Sequence, residues 1–115
     1  MSGSKVLILG LAYKPDIDDP RESPAFEIIE KLLGLGAQVS YHDPHIPTAP
    51  SMRSWPDLPR MRSVDLSSET LATADAVLIV TDHSSVDYDH VLAHAALIVD
   101  TRGIYRDPHP KVVKA

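Results

Sequence analysis

The run Val6-Leu7-Ile8-Leu9, closed by Gly10, constrains the fold more than any other feature. It is too short to span a membrane, and its apolar, partly branched residues suit a strand buried on both faces. Such a strand needs a layer on each side, which points to a parallel sheet flanked by helices. Gly10 lets the backbone leave the strand tightly and delivers Tyr13 and Lys14 just past its end. In open α/β sheets that edge is where ligands bind.

The next segments extend this pattern. After a polar loop, Ser23-Pro24 supplies an N-cap residue followed by Pro at the first helical position. Ala25, Ile28, Ile29 and Leu32 then form one apolar stripe, with Glu27, Glu30 and Lys31 opposite, and Gly34 and Gly36 provide the stop. Ala37 to His42 reads as a second strand closed by Asp43-Pro44, so the chain opens as a β-loop-α-β unit with a right-handed crossover expected. From Asp43 to Arg62 repeated prolines break any periodicity, which predicts a long ordered loop plugged into the core by Trp55. A short strand is expected around 63–66, a helix from Ser68 to Ala74 and a buried strand from Ala76 to Thr81. Asp87 caps a short helix through His94, Ala96 to Asp100 forms another buried strand, and the tail from Tyr105 is expected to fray. The sum is a three-layer α/β/α sandwich with a Rossmann-like, mostly parallel sheet of about five strands. Residues 5–115 make one domain, and Met1 to Ser4 reads as a cloning remnant.

Composition narrows the chemistry. A chain of 115 residues fits one domain but is short for an enzyme that holds both a dinucleotide and a second substrate. A net charge of −5 without any Lys/Arg run argues against a nucleic-acid partner. The lack of Cys removes disulfides, a thiolate nucleophile and Cys-type zinc sites. With neither a signal-peptide pattern nor a membrane-length apolar run, a soluble cytoplasmic protein is expected.

In a parallel sheet the segments Gly10 to Lys14, Thr81 to Ser85 and Asp100 to Gly103 line one crevice, which then carries Lys14 and Arg102. Two cations at the ligand edge of an acidic protein point to an anionic small molecule. The competing reading is that they pair with Asp16, Asp18 or Asp82 as ordinary surface ion pairs.

Other constellations are weaker. His90 and His94 share a helix face near Asp87 and Asp89, but the metalloprotease Glu is missing, so a surface histidine pair is favoured and no metal site is assigned. Asp82-His83-Ser84 has the residue types of a hydrolytic triad, yet adjacent side chains diverge, so a loop shaping the ligand pocket is the better reading. Asp16 to Asp19 lacks the Gly and distal Glu of a calcium loop and serves to orient Arg21. Asp43 stands where dinucleotide domains keep a ribose-binding acid, but Gly10 is alone, without a Gly-x-Gly-x-x-Gly turn, so a turn-forming role is expected.

The segment GLAYKPDIDDPRESPAFEIIEKLLGLGAQVSYHDP resembles the opening of the C-terminal nucleotide-binding domain of the UDP-glucose/GDP-mannose dehydrogenase family, and the likeness continues through DAVLIVTDHSSVDY and VDTRGIY. Gly-x-x-x-Lys, Asp-x-Arg-Glu-Ser, Tyr-x-Asp-Pro and Asp-x-Arg recur in order. AYKPDIDD and TDHSSVDY are more similar to the enzymes acting on UDP-N-acetylhexosamines than to UDP-glucose dehydrogenases, whose first motif reads closer to AFK. The resemblance implies a part of an NAD-dependent UDP-sugar 6-dehydrogenase, which oxidises the sugar C6 alcohol to a carboxylate for polysaccharide biosynthesis. It implies that NAD is bound mainly by an N-terminal domain, that a central helix makes a homodimer, and that this chain, without Cys, carries no catalytic residue and is inactive alone. It places Tyr13, Lys14 and Arg102 on the UDP-sugar and Arg21 on NAD. Tyr13 stands where Phe is commoner, and Pro20 where Leu or Thr is, which stiffens the loop. The alternative is a stand-alone module that senses nucleotide sugars without oxidising them.

Overall fold

The computed structural model describes residues 3–11, 24–46, 62–105 and 109–114. Trp55 and the rest of 47–61 lie outside them, as do Ser23 and the loop before it. Five strands, β1 (Lys5–Leu9), β2 (Gln38–His42), β3 (Ala76–Ile79), β4 (Ile98–Asp100) and β5 (Val112–Lys114), form one sheet in the order β2-β1-β3-β4-β5. Every neighbouring pair is parallel. The chain therefore steps outward from β1 to β2, then returns across β1 to β3, and the strand order reverses between β1 and β3.

The alternation of side chains along β1 builds both cores at once. Val6 and Ile8 pack with Ala25, Phe26 and Ile29 of α1 (Pro24–Gly34) and with Tyr41 of β2. Leu7 and Leu9 face the other way, against Val77, Ile79 and Ile98 and against Leu71 of α2 (Ser68–Thr73) and Val91 of α3 (Tyr88–His94). Among the described residues one helix thus covers one face and two cover the other, the three-layer arrangement expected from a strand with no polar side.

Local signals set the helix ends. Gly36, at φ 87°, donates to the Leu33 carbonyl at 3.0 Å while Ala37 donates to Leu32 at 3.0 Å, closing α1 as a Schellman motif. Ser67 Oγ accepts from the Thr70 amide at 3.1 Å and Asp87 Oδ1 from the His90 amide at 3.1 Å, capping α2 and α3.

Several boundaries differ from the sequence expectation. The buried face of α1 centres on Ala25, Phe26 and Ile29, whereas Ile28 and Leu32 pack only at its margin. The strand expected around 63–66 is reduced to a parallel bridge between Tyr41 and Ser63, after which Ser67 turns the chain into α2. The tail expected to fray instead returns as β5. Ile98 donates to the Lys111 carbonyl at 2.8 Å, Val112 packs into the second core, and Lys111 Nζ donates to the Leu92 carbonyl at the end of α3 at 3.0 Å.

Candidate ligand edge at the strand exits

The exits of β1 and β3 are pressed together. Val80 and Thr81 both donate to the Leu9 carbonyl, at 2.9 and 3.2 Å. Gly10 sits at φ 94°, and a Cβ there would lie 2.5 Å from Thr81 Cβ and 2.6 Å from its carbonyl oxygen. Only glycine fits this approach.

Asp43 ties three exits together. Its Oδ2 accepts the Leu11 amide at 2.7 Å and His83 Nε2–H at 2.8 Å, and its Oδ1 accepts the His45 amide at 2.8 Å. Asp43 and His83 are each 1% exposed. A carboxylate only accepts, so His83 carries its proton on Nε2 in this contact. The turn-forming role expected of Asp43 is present in the His45 bond, but the carboxylate also reaches across the exit of β1 to that of β3. His83, expected to shape the pocket, is buried behind it, while its neighbour Asp82 points toward β4. Tyr88 Oη donates to the His83 carbonyl at 3.0 Å, and Tyr105 Oη to the Tyr88 carbonyl at 2.7 Å, extending the network to the exit of β4.

There Asp100 organises the loop that carries Arg102. Its Oδ1 accepts the amides of Arg102 at 3.0 Å and Gly103 at 2.9 Å, and its Oδ2 accepts that of Tyr105 at 3.0 Å. Burial pushes the Asp100 carboxyl up, but the amides of Tyr105, Arg102, Ile104 and Gly103 outweigh it and hold the group below the ordinary carboxylate range. Arg102 Nε donates to Asp82 Oδ1 at 3.1 Å, with the Arg102 side chain 44% exposed. The surface pairing anticipated for Arg102 is therefore real. It fixes one nitrogen of the guanidinium, whose remaining donors form no hydrogen bond among the described residues. A planar fork so held suits a phosphate or a carbonyl edge.

The phenols here are not bases. Burial, then the Asp43 charge, pushes Tyr41 up to about 12, and its Oη donates to the Ile46 carbonyl at 2.9 Å. Burial and the charges of Asp100, Asp89 and Asp87 push Tyr105 up further.

The predicted site residues divide. Gly10, Thr81 to Asp82 and Asp100 to Gly103 do meet at successive exits, with β3 between β1 and β4. Tyr13, Lys14 and Arg21 lie outside the described residues, as do Asp16 to Asp19. His90 lies elsewhere, its Nε2 bonded to the Leu66 carbonyl at 2.9 Å and its ring edge-on to His94. Among the described residues no cluster of His, Cys, Asp or Glu has metal-holding geometry, and no helix is long and apolar enough to cross a membrane. Sequence reading missed the parts played by Asp43 with His83 and by Asp100; the available signal was an acid placed directly at a strand end.

A sheet that reverses its strand order beside a glycine exit, with an arginine presented at the same edge, defines a doubly wound α/β ligand-binding domain. The chain belongs to the UDP-glucose/GDP-mannose dehydrogenase family, whose UDP binding domain matches residues 7–107. It is 36% identical over 112 residues to the UDP-glucose 6-dehydrogenase of Rhizobium meliloti (strain 1021), covering 90% of this chain and 24% of that protein. It is likewise 36% identical over 106 residues to the UDP-N-acetyl-D-mannosamine dehydrogenase of Escherichia coli (strain K12), covering 89% of this chain and 24% of that protein. The solved UDP-D-ManNAc dehydrogenase from Pyrococcus horikoshii superposes with a TM-score of 0.70 at 27% identity, over 98% of this chain and 25% of its own. The chain thus spans about a quarter of the length of the relatives it matches.

Proposed function

We propose that the chain is the UDP-binding C-terminal domain of an NAD-dependent UDP-sugar 6-dehydrogenase. The observation that carries this reading is Arg102, held at the ligand edge by the Asp100 carboxylate within the Asp-x-Arg motif. Arg102 and Lys14 bind the UDP part, Tyr13 packs along the nucleotide, and Arg21 reaches toward NAD. AYKPDIDD and TDHSSVDY favour a UDP-N-acetylhexosamine as the sugar nucleotide; overall identity does not separate it from UDP-glucose, since relatives of both kinds match at 36%.

The described residues do not fit NAD on this sheet. Gly10 is closed over by Thr81 instead of opening toward a pyrophosphate, and Asp43, at the ribose-acid position, is buried and committed to Leu11, His45 and His83. In this reading NAD, the cysteine that captures the aldehyde and the dimer-forming helix belong to the remainder of a longer cytoplasmic enzyme. This chain binds and orients the nucleotide.

Titration calorimetry with UDP tests the reading, together with an assay for NAD reduction. The 115-residue chain binds UDP weakly and reduces no NAD with any UDP-sugar. Reproducible turnover by this chain alone would refute it. A stand-alone sensing module also binds UDP, and is separated by the upstream reading frame, which for the dehydrogenase holds an NAD fingerprint and a cysteine-bearing central region.

A further inference from the structure

Asp43 sits at the exit of β2, yet its carboxylate spans the exit of β1 to reach that of β3. We infer that Asp43 is a positioning residue for nucleotide binding, acting through the Leu11 amide on one wall of the crevice and through His83 on the other. This rests on the reading of the edge as a UDP site.

The geometry asks for a carboxylate. Among the described residues three donors converge on it, the Leu11 and His45 amides and His83 Nε2–H, all within 2.8 Å. An Asn at this position has one accepting oxygen. Placed toward Leu11 and His83 it turns its NH2 on the His45 amide, and placed toward His45 it turns that NH2 on the Leu11 amide. In the first placement the turn through His45 that carries residue 43 must shift, and in the second the Leu11 wall must. The shift propagates, because His83 is followed through its carbonyl by Tyr88 and preceded by Asp82, the partner of Arg102. A buried hydrogen-bonded acid therefore sets the spacing between the glycine exit and the arginine that faces the ligand.

The test is UDP calorimetry on the 115-residue chain well below each variant's Tm, with Asp43→Asn, His83→Leu and His83→Gln. Ile29→Val, on the core face of α1, serves as a stability control. Asp43→Asn and His83→Leu each weaken UDP binding by about tenfold or more, a loss typical of misplaced binding groups. His83→Gln, whose amide nitrogen can reach the same carboxylate, recovers most of what His83→Leu loses, and Ile29→Val leaves binding unchanged. Should Asp43→Asn not fold, the contrast between the two His83 variants decides. Equal affinities for wild type and Asp43→Asn, or for the two His83 variants, would overturn the assignment, as would an equal loss in Ile29→Val. Failure of wild type itself to bind UDP would overturn the underlying reading and this inference with it, and is recognised by Arg102→Ala being equally silent.

Discussion

Asp100 presents Arg102: its Oδ1 accepts the Arg102 backbone amide at 3.0 Å, and the same carboxylate also holds Gly103 and Tyr105. The loop after β4 is therefore fixed by an acid that is itself buried.

Asp100→Asn costs about 1–3 kcal/mol at neutral pH, because three part-buried amides lose a charged acceptor. The Asp100 carboxyl is held below its ordinary range in the fold, so its stabilisation is complete above the unfolded-state value and is lost as pH falls through the lower folded value. Urea titrations at neutral and acidic pH should show the gap between wild type and Asp100→Asn narrowing in acid. A gap that stays constant would mean the carboxylate's charge is irrelevant.

Gly10 and Gly34 should respond oppositely to alanine. At Gly10 both the φ of 94° and the contact with Thr81 oppose a side chain, so Gly10→Ala costs about 2–5 kcal/mol from backbone strain plus overpacking. At Gly34, in the last turn of α1, a Cβ meets nothing within 4 Å, and Gly34→Ala stabilises by about 0.5–1 kcal/mol. Thermal melts of the two variants check the signs.

Tyr41 is the alkaline counterpart of Asp100. Its phenol is pushed up to about 12, so the neutral side chain's contribution is complete below the unfolded value near 10 and fades as pH rises through 12. Tyr41→Phe loses the bond to the Ile46 carbonyl, costs about 1–2 kcal/mol at neutral pH, and flattens the decline in stability above pH 10. An unchanged alkaline decline would place its cause elsewhere.

If Arg21 reaches the cofactor, Arg21→Ala in the full-length enzyme raises the KM for NAD more than the KM for the sugar nucleotide. Steady-state kinetics with each substrate varied in turn read this directly; the opposite order would move Arg21 to the UDP side.

Much of this fold was visible as sequence because it rests on local periodicity. Val6 to Leu9 are apolar on both faces and proved to feed both cores, and Pro24, Gly36, Ser67 and Asp87 mark helix ends by chemistry confined to neighbouring residues. Strand β5 was hidden because Pro108 and Pro110 precede it, Val113 is exposed, and its reason to be extended is pairing with β4. The candidate site was legible as residue types and only partly as roles. Arg102 could be placed at an edge with Asp82 among its candidate partners, but which acid pairs with it depends on two loops meeting, and its support by Asp100 is a contact inside one loop that residue types do not announce. Asp43 and His83, 40 residues apart, read as a turn and a loop because only the order β2-β1-β3 brings them together across the β1 exit.

The most direct measurement is calorimetric titration of UDP into the wild-type chain and into Arg102→Ala. Saturable binding by wild type, weakened by about tenfold or more in Arg102→Ala while the melting temperature is unchanged, is the predicted result for a charge-assisted contact. Identical heats for the two proteins would contradict it.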